Sequence, residues 1–264
     1  MDLHIQNKVV IVTGGAKGIG ESIARTIATE GGIPVIVGRS AVEGEQVHAD
    51  ILSKGGKALV IHKKLGTSQS CKEVIDQVVE QYKRIDGIVN NAGANDGVGL
   101  ESGTPEAWLR SLEDNLHHYY YLVFYALSYL KESKGAIVNI SSKTAVTGQG
   151  GTSAYAAAKG AQLALTREWA VELLKYGIRV NAILPAEVMT PLYKKWIETF
   201  KNPEQKLEQI EQKIPLGGRM TKPSEIADMA VFLLSERASH ITGQLMFVDG
   251  GYVHLDRALS VLNQ

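Results

Sequence analysis

The chain has 264 residues, 44% of them hydrophobic, and its 28 basic and 28 acidic side chains give a formal net charge of zero. That length suits one large α/β domain, and the charge balance offers no general attraction to nucleic acid. The single cysteine, Cys71, excludes an internal disulfide or a cysteine zinc site and fits a reducing cytoplasm; no secretory signal and no membrane-spanning apolar run are visible, so a cytoplasmic protein without membrane partners is expected.

Val9-Val10-Ile11-Val12 is a continuous β-branched run, the pattern of a strand covered on both faces. Glycines follow at once, then a helical pattern over residues 21–28. Residues 34–37 read as the second strand, 41–53 as a helix, 58–61 as a strand, 71–82 as a helix and 85–90 as the fourth strand. The rhythm continues with a mostly helical stretch over 108–130, a strand over 136–140, a long helix over 153–174, a strand over 178–183, a helix over 223–234 and a closing strand over 244–248. Strict alternation implies an α/β fold with a doubly wound parallel sheet (Rossmann-like) in a single domain over residues 1–264. Ligands of such sheets lie beyond the carboxyl ends of the strands. The charged segment 189–214 breaks the rhythm; a helical insertion over the active site is expected there, serving as a lid.

Thr13-Gly14-Gly15-Ala16-Lys17-Gly18-Ile19-Gly20 joins the first strand to the first helix. Glycines let the backbone approach a pyrophosphate, and the helix N-terminus offers free N–H groups. A carboxylate at the end of the second strand would grip ribose hydroxyls, but the chain has Gly38-Arg39-Ser40 there. Arg39 can pair a 2′-phosphate through its planar fork, and Lys17 can reach the same group, which together point to NADP. Glu43 offers another ribose contact, so NAD stays possible.

Tyr155 and Lys159 are four residues apart on a helix, hence on one face. A neighbouring ammonium favours phenolate, so the tyrosine pKa is expected to fall from about 10 toward the working range. Such a phenol can exchange a proton with an alcohol or carbonyl, with the Ser142 hydroxyl holding the reacting oxygen. Taken alone, the pair also suits the surface of an amphipathic helix.

The glycine loop 13–20, Asn90-Asn91-Ala92-Gly93, Asn115, Ser142, Tyr155, Lys159 and the stretch 185–190 stand together in an order that resembles the classical branch of the short-chain dehydrogenase/reductase family, over roughly residues 7–252. The resemblance implies a catalytic tetrad of Asn115, Ser142, Tyr155 and Lys159, with Tyr155 as acid/base, Lys159 on the nicotinamide ribose, and Asn115 holding a proton-relaying water. It implies cofactor contacts from Gly14, Lys17, Gly18, Ile19, Gly20, Arg39, Leu65, Asn91, Ala92, Gly93, Pro185, Val188 and Thr190, besides Tyr155 and Lys159. No metal is implied. Two departures stand out: Lys64 where the family places an acid near the adenine, and Pro185-Ala186-Glu187 in place of Pro-Gly.

Asn95, Asp96, Lys143, Gln149 and Glu187 crowd the expected pocket rim. Buried polar groups need partners, so such a rim favours a polyhydroxylated substrate over an acyl chain. Segments 94–98, 115–119, 184–193 and 250–259 are similar to sugar 1-dehydrogenases of the family, L-fucose dehydrogenases above all. The implied reaction oxidises the anomeric hydroxyl of an L-fucose-like aldose to a lactone. An NADPH-dependent carbonyl reductase of the 3-oxoacyl type is the alternative, and a non-catalytic nucleotide sensor a third. Trp196 and Tyr193 can stack on a sugar ring or pack a core; Asn95, Lys143, Gln149, Glu187 and Trp196 are the candidate substrate residues. Adjacent helical side chains diverge by about 100°, so His117 and His118 are poorly placed to share a metal. Tyr119-Tyr120-Tyr121 is expected to pack a helix face, and the apolar circumference of the two long helices predicts subunit pairing, by the resemblance in a homotetramer.

Overall fold

A computed structural model describes residues 2–255. Seven parallel strands form one sheet in the order β3-β2-β1-β4-β5-β6-β7. They are β1 (Val9–Thr13), β2 (Ile33–Gly38), β3 (Leu59–His62), β4 (Gly87–Asn90), β5 (Ala136–Ile140), β6 (Arg179–Pro185) and β7 (Leu245–Val248). The helices are α1 (Gly18–Thr29), α2 (Ala41–Ser53), α3 (Ser68–Tyr82), α4 (Pro105–Leu112), α5 (His118–Ser133), α6 (Ser153–Leu173), α7 (Pro191–Ile197), α8 (Pro203–Glu211) and α9 (Pro223–Leu234).

Alternate β1 residues explain the unbroken apolar run. Val9 and Ile11 pack with α3, α5 and α6 on one face, whereas Val10 and Val12 pack with α1 and α9 on the other. Each face is buried, so every position must be apolar. β1 pairs with β2 on one side and β4 on the other, so the chain changes direction there. In sheets of this order, ligands bind at that switch point, beyond the carboxyl ends of the strands. Thr13, Asn90, Ile140 and Pro185 all end strands on that edge.

Two helices start earlier than their apolar periodicity suggests. The α3 helix begins at Ser68 rather than residue 71, because Thr67 Oγ1 accepts from the Ser70 N–H at 3.1 Å and Ser70 Oγ accepts from the Thr67 N–H at 3.2 Å. At α4, Thr104 caps and Pro105 opens the first turn. The expected helix over 108–130 is not continuous, since a π-turn over Glu113–His117 separates α4 from α5. A 3.6-residue period cannot reveal that insertion. The segment after β6 does contain the expected helical insertion, as α7 and α8. Among the described residues, no helix is long and apolar enough to cross a membrane. Residues 256–259, part of the sugar-dehydrogenase-like segment, lie outside the described residues.

Candidate active site

The loop from β1 to α1 forms a narrow cradle. Gly14 has φ +64°, and a Cβ there would stand 2.9 Å from Asn91 Nδ2. A Cβ at Gly20 would fall 2.3 Å from the Gly14 carbonyl oxygen, so the backbone closes too tightly for any side chain. Lys17, the N-cap of α1, makes no side-chain cap bond, leaving the first-turn N–H groups without a side-chain acceptor. A loop whose Gly14 and Gly20 leave no room for a Cβ and that ends on an uncapped helix fits a dinucleotide pyrophosphate. Ile19 sits beneath it, packed on the core.

Thr13 fixes the opposite wall, a role the sequence reading did not assign to it. Its hydroxyl accepts from the Asn91 and Ala92 N–H groups, each at 2.9 Å, and Asn91 Nδ2 donates to its carbonyl at 2.8 Å. Thr190 closes the cradle from beyond β6, since its methyl carbon would lie 3.2 Å from a Cβ on Gly18. Val188 and Leu65 are buried nearby in sequence to Thr190 and β3 respectively, and Pro185 ends β6.

At the β2 end, Arg39 is exposed. Lys17 is not free, because it pairs with Glu43 of α2. Lys17 holds the Glu43 carboxyl below the usual carboxylate range. Lys64 Nζ stands 3.5 Å from Asp114. The adenosine end therefore carries alternating charges rather than a simple cationic patch.

On α6, Tyr155 and Lys159 share one side, with the Lys159 ammonium 5.5 Å from the Tyr155 ring centroid. Ser141 Oγ donates to the Lys159 carbonyl at 2.9 Å and ties α6 to the end of β5. Ser142 follows, its hydroxyl accepting from the Thr144 N–H at 3.2 Å. The expected fall of the tyrosine pKa is not what the structure gives. Burial pushes the Tyr155 phenol up to about 12; the Ser142 hydroxyl pulls it down, and Asp96 pushes it further up. Burial also takes Lys159 from 10.5 down to about 7, so this amine carries only part of a charge near neutrality. Spacing alone shows neighbours and not desolvation, and here desolvation sets the sign.

Lys159 Nζ donates inward to the Ile140 carbonyl at 2.8 Å, Gln162 Oε1 at 3.3 Å and Tyr119 Oη at 3.4 Å. Tyr119 is thus more than packing, and its hydroxyl donates to the Ile140 carbonyl at 3.1 Å. Asn115 lies in the π-turn. Its Oδ1 accepts from the Ala94 N–H at 2.8 Å and its Nδ2 donates to the Ser111 carbonyl at 3.0 Å. A Cβ on Gly93 would meet Asn115 Oδ1 at 2.7 Å. The main-chain carbonyl of Asn115 accepts from Gln162 Nε2 at 2.7 Å.

Beside Ser142 lies a second polar cluster. Lys143 pairs with Glu187, both largely buried. Tyr193 Oη of α7 donates to Glu187 Oε2 at 2.7 Å, and the Lys143 ammonium stands 4.0 Å from the Tyr252 ring centroid. The structure therefore joins Lys143 and Glu187, and adds Tyr193 and Tyr252. It does not bring Asn95 or Gln149 into that cluster's hydrogen bonds. Both are exposed, and Asn95 Oδ1 accepts locally from the Gly97 N–H at 3.2 Å. Trp196 is 44% exposed and meets Tyr193 and Phe200 edge-on, at 5.1 and 4.9 Å between centroids. His118 is buried, which lowers its pKa to about 4 and keeps it neutral, while His117 meets Tyr121 edge-on.

A glycine cradle, a half-buried Tyr155 beside a buried Lys159, and the Lys143–Glu187 cluster beyond the strand ends fit an oxidoreductase of the doubly wound type. The family model described as enoyl-(acyl carrier protein) reductase matches residues 14–253. An L-fucose dehydrogenase from Rattus norvegicus is 35% identical over 245 residues, which are 92% of this chain and 88% of that protein. The 3-oxoacyl-[acyl-carrier-protein] reductase FabG of Thermotoga maritima is 35% identical over 253 residues, 95% of this chain and all of that one. The crystal structure of Cj0485 dehydrogenase superposes with a TM-score of 0.93 at 49% identity, covering 98% of both chains. The chain belongs to the short-chain dehydrogenase/reductase family. It is an NAD(P)-dependent oxidoreductase acting on CH–OH groups, with a nicotinamide cofactor and a small-molecule substrate.

Proposed function

We propose that the enzyme uses NADP to oxidise the anomeric hydroxyl of an L-fucose-like aldose to a lactone. The observation that carries this reading is the Lys143–Glu187–Tyr193 cluster next to Ser142. Lys143 and Glu187 satisfy each other, yet the ammonium has further N–H donors and the carboxylate further lone pairs, which vicinal hydroxyls can use and an acyl chain cannot. The L-fucose dehydrogenase relative supports the same class.

In this mechanism Tyr155 takes the hydroxyl proton while Ser142 holds the reacting oxygen. Lys159 contributes whatever ammonium charge burial leaves it, stabilising the phenolate. A bound oxidised nicotinamide supplies the hydride acceptor and a positive charge. Gly14, Gly18, Ile19 and Gly20 hold the pyrophosphate; Asn91, Ala92, Gly93, Pro185, Val188 and Thr190 flank the nicotinamide half; Leu65 borders the adenine; Arg39 takes the 2′-phosphate. Asn115 braces the wall at Ala94. Residues 189–214 serve as the lid.

The exposed Trp108, Leu109, Tyr120 and Phe124 on α4 and α5, with Val171 on α6, give apolar faces for pairing, and we assign a homotetramer. The buried thiol of Cys71 suits a cytoplasmic setting.

Full-length coverage of the 3-oxoacyl reductase relative favours one second reading, a ketone reductase on acyl thioesters. Reduction of NADP and NAD across L- and D-aldoses, beside a 3-oxoacyl thioester assay, separates the two. Turnover of thioesters with no aldose activity overturns the sugar assignment.

A further inference from the structure

Gln162 lies three residues past Lys159 on α6 and is fully buried. Both ends of its amide are engaged, Oε1 by the Lys159 ammonium and Nε2 by the Asn115 carbonyl. An ammonium only donates and a carbonyl only accepts, so chemistry fixes which end of the amide faces which partner. We propose that Gln162 is a positioning residue that anchors Lys159 to the Asn115 carbonyl and thereby sets how long Lys159 keeps its proton beside Tyr155. The proposal rests on reading Tyr155 and Lys159 as the proton-transfer pair.

The physical argument starts from the lysine's three N–H donors. They are matched by three acceptors: the Ile140 carbonyl, Tyr119 Oη and Gln162 Oε1. Hydrogen bonds to the charged form favour it, and burial opposes it. Among the described residues no carboxylate pairs with Lys159, so neutral dipoles must do the stabilising. The titratable groups around it are Tyr155 on its own helix and Tyr119 and His118 from α5. Burial holds Tyr119 as a neutral phenol and His118 as a neutral imidazole. Neither supplies a counter-charge. Gln162 is polarised further because its Nε2 donates to Asn115, and chained hydrogen bonds strengthen one another.

The test reads Lys159 directly, by 13C NMR of ε-labelled lysine in the whole protein, beside the kcat–pH profile for alcohol oxidation. Gln162→Met keeps the volume and removes both bonds. The Lys159 midpoint is expected to fall by about one pH unit, and the Tyr155 limb of the profile to move upward as the supporting charge is lost. Gln162→Glu keeps an acceptor oxygen, and its midpoint is expected at or above the parental value. If Gln162→Met leaves both midpoint and profile unmoved, or Gln162→Glu falls as far as Gln162→Met, Gln162 is packing and the proposal is overturned. Should Gln162→Met not fold, a Gln162→Glu midpoint at or above the parental value supports the proposal and one about a pH unit below it overturns it. The NMR titration needs no turnover, so an active Tyr155→Phe variant would remove the catalytic reading while leaving the Gln162 result to be judged by itself.

Discussion

The two halves of the cleft handle charge in opposite ways. Around α6, Lys159, Gln162 and Thr166 are buried and Tyr155 half-buried, and desolvation moves Lys159 down to about 7 and Tyr155 up to about 12. At the β2 end Arg39 is exposed and Lys17 is paired with Glu43 in contact with solvent. Charges in water interact weakly and are screened by salt, whereas buried ones are not. On the function proposed above, the chemistry belongs to the dry half and selection between cofactors to the wet one.

That contrast orders the expected effects. Tyr155→Phe strikes the dry half and should lower turnover by about 10³-fold while NADP binding, measured by fluorescence titration, stays close to parental. Retained activity would remove Tyr155 from the reaction. Next comes Glu187→Gln, which strips the carboxylate from Lys143 but keeps an acceptor for Tyr193; the aldose KM should rise about tenfold with kcat less affected. Unaltered kinetics would place the cluster outside the substrate site. In the wet half, Arg39→Ala should weaken NADP several-fold and leave NAD unchanged, and the loss should shrink as salt is raised. Equal weakening of both cofactors would refute the phosphate role. The smallest effect is expected for Glu43→Gln. Releasing Lys17 should tighten NADP about two- to threefold at low salt, and no change would show that Lys17 does not reach the phosphate.

The same contrast explains what could be read from sequence. Strands buried on both faces need unbroken apolar runs, so β1, β2, β5 and β6 were legible, and the helix over residues 41–53 ends where its pattern ends. The Tyr155–Lys159 pair was legible because helical spacing fixes it, and Ser142 joined them through the family resemblance. The π-turn at 113–117 was not, since one extra residue disturbs no hydrophobic count. Thr13, Gln162 and Tyr252 escaped notice because their partners are distant in the chain: Asn91, Asn115 and Lys143. A lone polar residue inside an apolar helix face was the signal available for Gln162. The protonation states were misjudged for the same reason, because desolvation depends on what the whole fold lays over a group.

The phenol on α7 reaches the very carboxylate that Lys143 holds from the sheet side. Any outward swing of that helix must therefore break a bond on the pocket floor. With the lid and substrate contacts proposed above, doorway and grip are mechanically one part, so a variant with a faster entrance will hold its ligand more loosely unless a new donor is built beside residue 187.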